Sequence, residues 1–202
     1  FSAGADLNWM RRMGDATEAE NVADALSLAE LLDTLDRLPK PTIALVNGAA
    51  YGGGVGLVAA CDIAIAAGGA VFAMTEVRLG LIPAVISPHV LAAIGQRQAR
   101  RYFITGETFS ATEALRIGLV HAVVEAEDLD AAGRRMLATL AANGSQAMAE
   151  VKNLIRDVAG RPIDAALMAD TAGRIARARS SAEGRARISA FLDRRARRPD
   201  RG

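Results

Sequence analysis

Cysteine and histidine are scarce in this chain, and so are aromatic residues. Its 202 residues include one cysteine, Cys61, and two histidines, His89 and His121. A single cysteine excludes an intramolecular disulfide and a multi-cysteine metal site, and the histidines do not stand at a metal-ligand spacing. We therefore expect no bound metal, and we expect a reducing compartment, the cytoplasm.

An excess of one charge and long apolar runs are also missing. Lys and Arg number 24 against 23 Asp and Glu, so the net charge of +1 gives no support to nucleic-acid binding. Apolar stretches end well short of the ~18 residues of a transmembrane helix, and no basic segment precedes one as in a signal peptide. The sequence predicts a folded protein that binds neither nucleic acid nor a membrane.

A strand, a glycine turn, a helix and a second strand follow one another between residues 42 and 67. The segments are TIALV (42–46), a helix from Gly52-Gly53-Gly54 to about Ala60, and CDIAIAA (61–67). Continuous apolar strands on either side of a helix predict a parallel βαβ unit in a sheet that is covered on both faces.

Helices surround this unit. The capping box of Thr17 and Glu20 opens a helix that Pro39 and Pro41 end, and the pair Ser110 and Glu113 opens another, which ends at Gly118. Further strands are predicted over 70–74 and 119–124, and further helices over 87–94, 96–105, 128–142, 145–158, 162–178 and 181–195. The chain thus divides into an α/β core, 1–126, and a helical region, 127–202.

The triple glycine is the first candidate for chemistry. Glycines at a helix start leave backbone N–H groups uncovered at the positive end of the helix dipole, where they can hold a phosphate or a developing oxyanion. The strand end FSAGAD breaks at Gly4, and the freed N–H of Ala5 could converge with that of Gly53 on one carbonyl oxygen. The alternative is a turn that serves only close packing.

A dinucleotide-binding fingerprint is the weaker interpretation of these glycines. Gly54, Gly56 and Ala59, with Glu76 further on, match its residue types. The glycines do not follow the strand directly, however, and the acid does not end the next strand.

Several blocks together resemble the crotonase (enoyl-CoA hydratase/isomerase) superfamily. They are FSAGADL, PKPTIALVNGAAYGGGVGLVAACDIAIAA, FAMTEVRLGLIP, TGETFSATEALRIGLVHAVV and, near the end, AFLDRRARRP. The resemblance covers nearly the whole chain and implies an α/β fold, the crotonase (ClpP-like) spiral of ββα units, with a C-terminal helical oligomerisation subdomain. It implies a homotrimer or homohexamer. Family members usually have several dozen residues before FSAGAD, so we expect an N-terminally truncated chain.

The same resemblance implies a site for an acyl-CoA thioester. The matching positions make the amides of Ala5 and Gly53 the oxyanion hole and Glu76 the acid–base residue. The segment that lines coenzyme A corresponds to Ala5, Asp6, Leu7 and Asn8, together with Gly53. Coenzyme A is then part of the substrate, and no separate cofactor is expected.

Two departures from the family pattern bear on the reaction. Gly56 stands where two-glutamate hydratases carry a second Glu, so either Glu76 makes both proton transfers or the reaction needs only one base. The usual glycine-rich loop is replaced by PAVISP (83–88). With SAGADLNWM and TEVRLGLIPAVISPHV, this loop resembles that of bacterial methylglutaconyl-CoA hydratases of leucine catabolism, whose substrates carry a distal carboxylate.

We therefore expect an acyl-CoA hydratase or dehydratase acting through a thioester enolate on 3-methylglutaconyl-CoA or a similar short branched enoyl-CoA. The alternatives are a single-glutamate Δ3–Δ2 enoyl-CoA isomerase and a catalytically inactive family member or fragment. Arg78 could meet the distal carboxylate, although a structural role is favoured. His89 or Tyr51 could line the acyl pocket, and Arg194 could reach the phosphates of coenzyme A.

Overall fold

A computed structural model describes residues 1–196, so the predicted tail from 197 to 202 lies outside the described residues. The chain forms two compact units. The first is Phe1–Leu137, and the second begins at Ala138. The division falls inside a helix, whereas the predicted boundary at 126/127 follows the last strand.

The first unit contains two three-stranded sheets. In one, β1 (Ile43–Val46), β3 (Ile63–Ala67) and β6 (Ala122–Val124) are parallel, in the order β1-β3-β6. In the other, β2 (Ala50–Tyr51) pairs in parallel with β4 (Val71–Ala73), which pairs antiparallel with β5 (Phe109–Ser110).

The helices of the first unit are α1 (Leu7–Gly14), α2 (Glu18–Arg37), α3 (Gly53–Ala60), α4 (Ser87–Thr105) and α5 (Ala111–Arg116). Short 3₁₀ helices cover Glu76–Leu79 and Ala126–Asp128. The predicted βαβ unit is confirmed as β1, α3 and β3, with Ile43 opposite Ile63 in a parallel register. The predicted pair of helices is also present, because α4 is interrupted at Gly95 (φ 71°, ψ 162°).

The helix α3 lies in the middle of the core. Five of its eight residues are buried, and it packs against α2 and α4. It belongs to one hydrophobic cluster with the largest fully buried side chains of the described residues, which include Tyr102, Phe72, Leu32, Met74, Val46, Val90 and Val120. A glycine-rich helix in this position has its backbone, rather than its side chains, in contact with surrounding segments.

One of the two predicted capping boxes is complete. Thr17 accepts from the N–H of Glu20, and the Glu20 carboxylate accepts from the N–H of Thr17. At α5 only one of the two hydrogen bonds of the predicted second box is present. Ser110 caps the helix, but the Glu113 carboxylate instead accepts from the hydroxyl of buried Tyr102 and pairs with Arg116.

The Glu113 carboxylate binds Arg116 and Tyr102, rather than the backbone N–H of Ser110, for an electrostatic reason. The guanidinium of Arg116 and the hydroxyl of Tyr102 lower the pKa of this carboxyl to about 2, which keeps it ionised. An ionised carboxylate gains more from a guanidinium than from a backbone N–H. Burial and the same hydrogen bond raise the pKa of Tyr102 to about 12.

The beginnings of β1 and β3 are held together by Thr42 and Asp62. The N–H and hydroxyl of Thr42 donate to Asp62 Oδ2 at 2.7 and 2.9 Å, and the N–H of Asp62 donates to Thr42 Oγ1 at 3.0 Å. At the other edge of β3, His121 Nδ1 accepts from the N–H of Ala64 at 3.0 Å. The Thr42–Asp62 pair and His121 therefore extend the strand pairing on the two sides of β3.

The second unit is helical. The helix α6 (Leu129–Ala141) leads into it, and α7 (Ser145–Val158), α8 (Ala165–Ser180) and α9 (Ala182–Ala196) follow. Gly144 offers no side chain to cap α7, and Glu183 from α9 accepts from the N–H groups of Gln146 and Ala147 instead. These backbone donors lower the pKa of the Glu183 carboxyl.

We predict that Thr42→Val lowers the free energy of unfolding by about 1–3 kcal/mol, because it leaves the partly buried Asp62 without one donor and one acceptor. Chemical denaturation measures the loss. Thr34→Val is the matched control, because the Thr34 side chain is exposed on α2 and its hydroxyl has no partner in the described part of the chain. Equal stability of the two variants would contradict a structural role for the Thr42–Asp62 contact.

Candidate active site

Each glycine of the turn before α3 has a different surrounding. Gly52 adopts φ 51° and ψ −116°, and a Cβ there would lie 3.1 Å from Glu76 Oε1. A Cβ on Gly54 would lie 2.7 Å from the Cβ of Ser2, whereas a Cβ on Gly53 would meet nothing within 4 Å. Because it lacks a side chain, Gly52 allows the Glu76 carboxylate to come close, and Gly54 allows Ser2 to do so. Gly53, between them, faces open space.

The N-terminal segment runs beside β2 and then turns away. The N–H of Ser2 donates to the carbonyl of Ala49 at 2.8 Å, and the N–H of Tyr51 donates to the carbonyl of Ser2 at 3.0 Å. This pairing stops at Gly4, whose φ of 96° favours glycine. Gly4 lies against the residue before the glycine turn, since a Cβ on Gly4 would be 3.7 Å from the Tyr51 carbonyl oxygen, and Ala5 is the next residue along the chain.

The amides of Ala5 and Gly53 are available as donors. Within residues 1–196 neither N–H donates to a protein acceptor, whereas the N–H of Gly52 donates to the carbonyl of Ala73 at 2.9 Å. Gly53 is the first residue of α3, where N–H groups have no partner within the helix and the helix dipole is positive. An oxygen that gains negative charge would be stabilised by such donors.

Glu76 stands three residues after the end of β4, at the start of the 3₁₀ helix. Its Oε1 lies against Gly52, and its Oε2 is buried without a hydrogen-bond partner in the described part of the chain. Burial raises the pKa of this carboxyl, and a backbone hydrogen bond offsets the rise in part. A carboxyl group with a raised pKa holds a proton more readily than an exposed one, which suits a group that accepts and returns protons.

Gly56 lies one turn along α3 from Gly52, as the hydrogen bond from its N–H to the Gly52 carbonyl shows (3.3 Å). A Cβ on Gly56 would lie 2.4 Å from Ile86 Cγ2 and 3.5 Å from Leu32 Cδ1. The position is therefore closed to any side chain while Ile86 keeps its place.

The segment predicted to line coenzyme A forms the start of α1. Asp6 caps this helix by accepting from the N–H of Trp9 at 2.8 Å, and the side chains of Leu7 and Asn8 are exposed. Ala5 is exposed as well. The segment is thus open to a ligand, and its contact with coenzyme A stays a prediction.

The remaining polar candidates differ in their surroundings. The side chain of Arg78 lies over Gly106 at the end of α4, since a Cβ on Gly106 would be 3.3 Å from Arg78 Nε. A cation is favourable at a helix C-terminus, so the structural role is the one these contacts support. His89, in the first turn of α4, and Tyr51, in β2, are half-buried, and their roles stay predictions.

Two residues that sequence reasoning missed belong to this site. Ser2 packs against Gly54 and so sets the distance between the N-terminal segment and α3, and Ile86 packs against Gly56. Ser2 carries no signal of its own in the sequence. Ile86 does stand in the loop that departs from the family pattern, and that departure could have indicated it.

The fold and the site define a protein with two free amides and a buried carboxylate at one edge of an α/β core. The sequence profile of the enoyl-CoA hydratase/isomerase family matches residues 1–198. The chain belongs to this family, and the expected crotonase fold is confirmed by solved relatives. No helix among the described residues is long and apolar enough to cross a membrane.

Two solved structures illustrate the similarity. An enoyl-CoA hydratase from Shewanella pealeana is 49% identical, with a TM-score of 0.93 over 96% of this chain and 72% of that one. An enoyl-CoA hydratase from Mycobacterium smegmatis is 30% identical, with a TM-score of 0.90 over 99% and 76%. Both similarities extend over nearly the whole chain.

Two curated relatives match over a shorter stretch. An enoyl-CoA hydratase of Alternaria alternata is 41% identical over 105 residues, which are 52% of this chain and 33% of that protein. A relative from Thermus thermophilus is 40% identical over 114 residues, which are 56% of this chain and 45% of its own length. The matched stretch therefore spans less than half of either relative.

We predict that Glu76→Gln raises the melting temperature at pH 8 and leaves it nearly unchanged at pH 4. A carboxyl whose pKa is raised by folding stabilises the protein below its unfolded pKa, and this contribution is lost as the pH rises through the folded pKa. Gln cannot ionise, so the variant does not lose this stability as the pH rises. Thermal unfolding of both proteins across this pH range measures the difference.

Glu113→Gln is the matched control with the opposite sign, because the pKa of Glu113 is lowered and its charge stabilises the fold at neutral pH. A Glu76→Gln protein that is less stable than the parent at pH 8 would contradict a carboxylate with one buried oxygen that has no partner.

Proposed function

We propose that this protein adds water to, or removes water from, a short branched acyl-CoA through a thioester enolate, and that 3-methylglutaconyl-CoA is the substrate. The observation that carries the proposal is the position of Glu76. One carboxylate oxygen, Oε2, is buried without a partner in the described part of the chain, and the other, Oε1, lies against Gly52, the residue next to Gly53 with its free amide.

The two amides supply the electrostatic part of the reaction. The thioester oxygen accepts hydrogen bonds from the N–H groups of Ala5 and Gly53, and it becomes an oxyanion when the adjacent carbon loses its proton. Donors that are fixed before the reaction cost no reorganisation, and each contributes about 10²–10³ in rate. Gly53 faces open space, which leaves room for the thioester.

Glu76 moves the protons. In dehydration its carboxylate takes the proton from the carbon next to the thioester, and the enolate forms. The protonated carboxyl then gives this proton to the leaving hydroxyl, which departs as water with the C–O bonding electrons. Hydration is the reverse, so one carboxyl group completes either direction and is regenerated.

The substrate class rests on the loop that follows Glu76. Its PAVISP sequence and the SAGADLNWM segment resemble methylglutaconyl-CoA hydratases, which supports a branched acyl group with a distal carboxylate. The exposed start of α1, with Asp6, Leu7 and Asn8, would line coenzyme A. A homotrimer or homohexamer in the cytoplasm is part of the same proposal.

A Δ3–Δ2 enoyl-CoA isomerase is the second candidate. The observation that favours it is the closed space over Gly56, where Ile86 leaves no room for a second carboxylate to hold water. An isomerase needs only one group to move a proton between two carbons, and Glu76 is sufficient for that.

A turnover screen separates these reactions. We predict that 3-methylglutaconyl-CoA changes mass by one water, and that Glu76→Gln lowers kcat by at least about 100-fold. The panel also contains hydroxymethylglutaryl-CoA, crotonyl-CoA and a 3-enoyl-CoA. Glu30→Gln is the matched control, because Glu30 is exposed on α2 and lies outside the site.

A 3-enoyl-CoA that changes retention time without changing mass would make the protein an isomerase. Binding of coenzyme A thioesters without turnover of any would contradict both reactions and indicate an inactive family member.

A further inference from the structure

The face of α3 that carries Gly52 and Gly56 contacts two different side chains. Glu76 Oε1 lies over Gly52, and Ile86 Cγ2 lies over Gly56. The two glycines are four residues apart and joined by a hydrogen bond, which places them about one helical turn, ~5.4 Å, apart along the axis. Glu76 and Ile86 therefore contact the same helix start, one at its N-cap and the other one turn further along.

The contact between Ile86 and Gly56 is unusually close. A Cβ on Gly56 would lie 2.4 Å from Ile86 Cγ2 and 3.0 Å from Ile86 Cβ. Leu32 closes the same position from α2, at 3.5 Å. Ile86 and Leu32 are both buried, so neither side chain can move out into solvent without leaving the core.

Ile86 also joins the site to α4. It is the residue that precedes the first turn of this helix, and the N–H of Val90 donates to its carbonyl at 3.1 Å. The loop that contains it begins at the end of the 3₁₀ helix of Glu76. The position of Ile86 on Gly56 therefore fixes the segment between Glu76 and α4.

We propose that Ile86 is a positioning residue for the acid–base site: by filling the space over Gly56 it holds the loop after Glu76 against α3 and keeps a second side chain out of this face. The proposal rests on the function proposed above for Glu76. Ile86 touches no reacting atom, and its contribution is measured as the decrease in kcat when its side chain is shortened.

Stability measurements test the packing without any substrate. Gly56→Ala is expected to lower the melting temperature by about 5 °C through overpacking. The double variant Gly56→Ala/Ile86→Ala should melt within about 2 °C of Ile86→Ala alone, since the obstructing methyl is gone. A Gly56→Ala protein as stable as the parent would overturn the close contact.

Kinetics test the positioning role. Ile86→Ala is expected to lower kcat about tenfold with KM within twofold, and Ile86→Val, which can keep the methyl over Gly56, to restore at least half of the parent kcat. Ile94→Ala is the control, because Ile94 is equally an isoleucine buried on α4. Ile94→Ala should lower the melting temperature by a similar amount and keep kcat and KM within twofold of the parent values.

Equal kinetics of Ile86→Ala and Ile94→Ala would overturn the positioning role and leave Ile86 as core packing. Absence of turnover in the parent protein would overturn the proposed function instead. The stability measurements would still show whether Ile86 packs closely against Gly56.

Discussion

The structure depends on close contact with the backbone of α3. Three segments approach this helix at positions that carry no Cβ: Glu76 at Gly52, Ser2 at Gly54 and Ile86 at Gly56. A methyl group at any of these positions would come within 3.1 Å of its neighbour. The glycines therefore determine which parts of the chain meet at the end of β2, and the candidate site lies where they meet.

Electrostatics then separate two glutamates that belong to the same unit. Glu113 has a guanidinium and a phenol beside it, so its pKa is about 2 and its charge serves stability. Glu76 has no partner for its buried oxygen, and its pKa is raised. An ionised carboxylate with one buried oxygen left without a partner costs stability, and such a cost is common where a group must exchange protons.

Much of this organisation was predictable from local pattern. The βαβ unit, the kinked α4 and the complete capping box at α2 follow from apolar runs, glycines and Thr17 with Glu20. The four C-terminal helices lie close to their predicted bounds.

Contacts between distant residues were not predictable. The two-residue strand β2 is too short for a periodic signal, and the partners of Glu113 come from a different helix. Ile86 was missed because its function depends on the absence of a side chain thirty positions earlier, at Gly56. The resemblance to a family assigned Ala5, Gly53 and Glu76, and the structure adds free amides and a buried carboxylate at those positions.

In the proposed reaction, two backbone amides polarise a thioester carbonyl beside one carboxyl group. Isotope-edited infrared spectroscopy of a ¹³C-labelled acyl-CoA bound to Glu76→Gln observes that carbonyl directly. We predict a stretching frequency below that of the free thioester in water. The shift should be smaller with Gly53→Pro, because Pro is tolerated at the first helical position but has no N–H, so that only the amide of Ala5 remains. Glu30→Gln, which changes an exposed residue of α2, is the control and should keep the full shift. A bound carbonyl at the frequency of the free thioester would contradict the account.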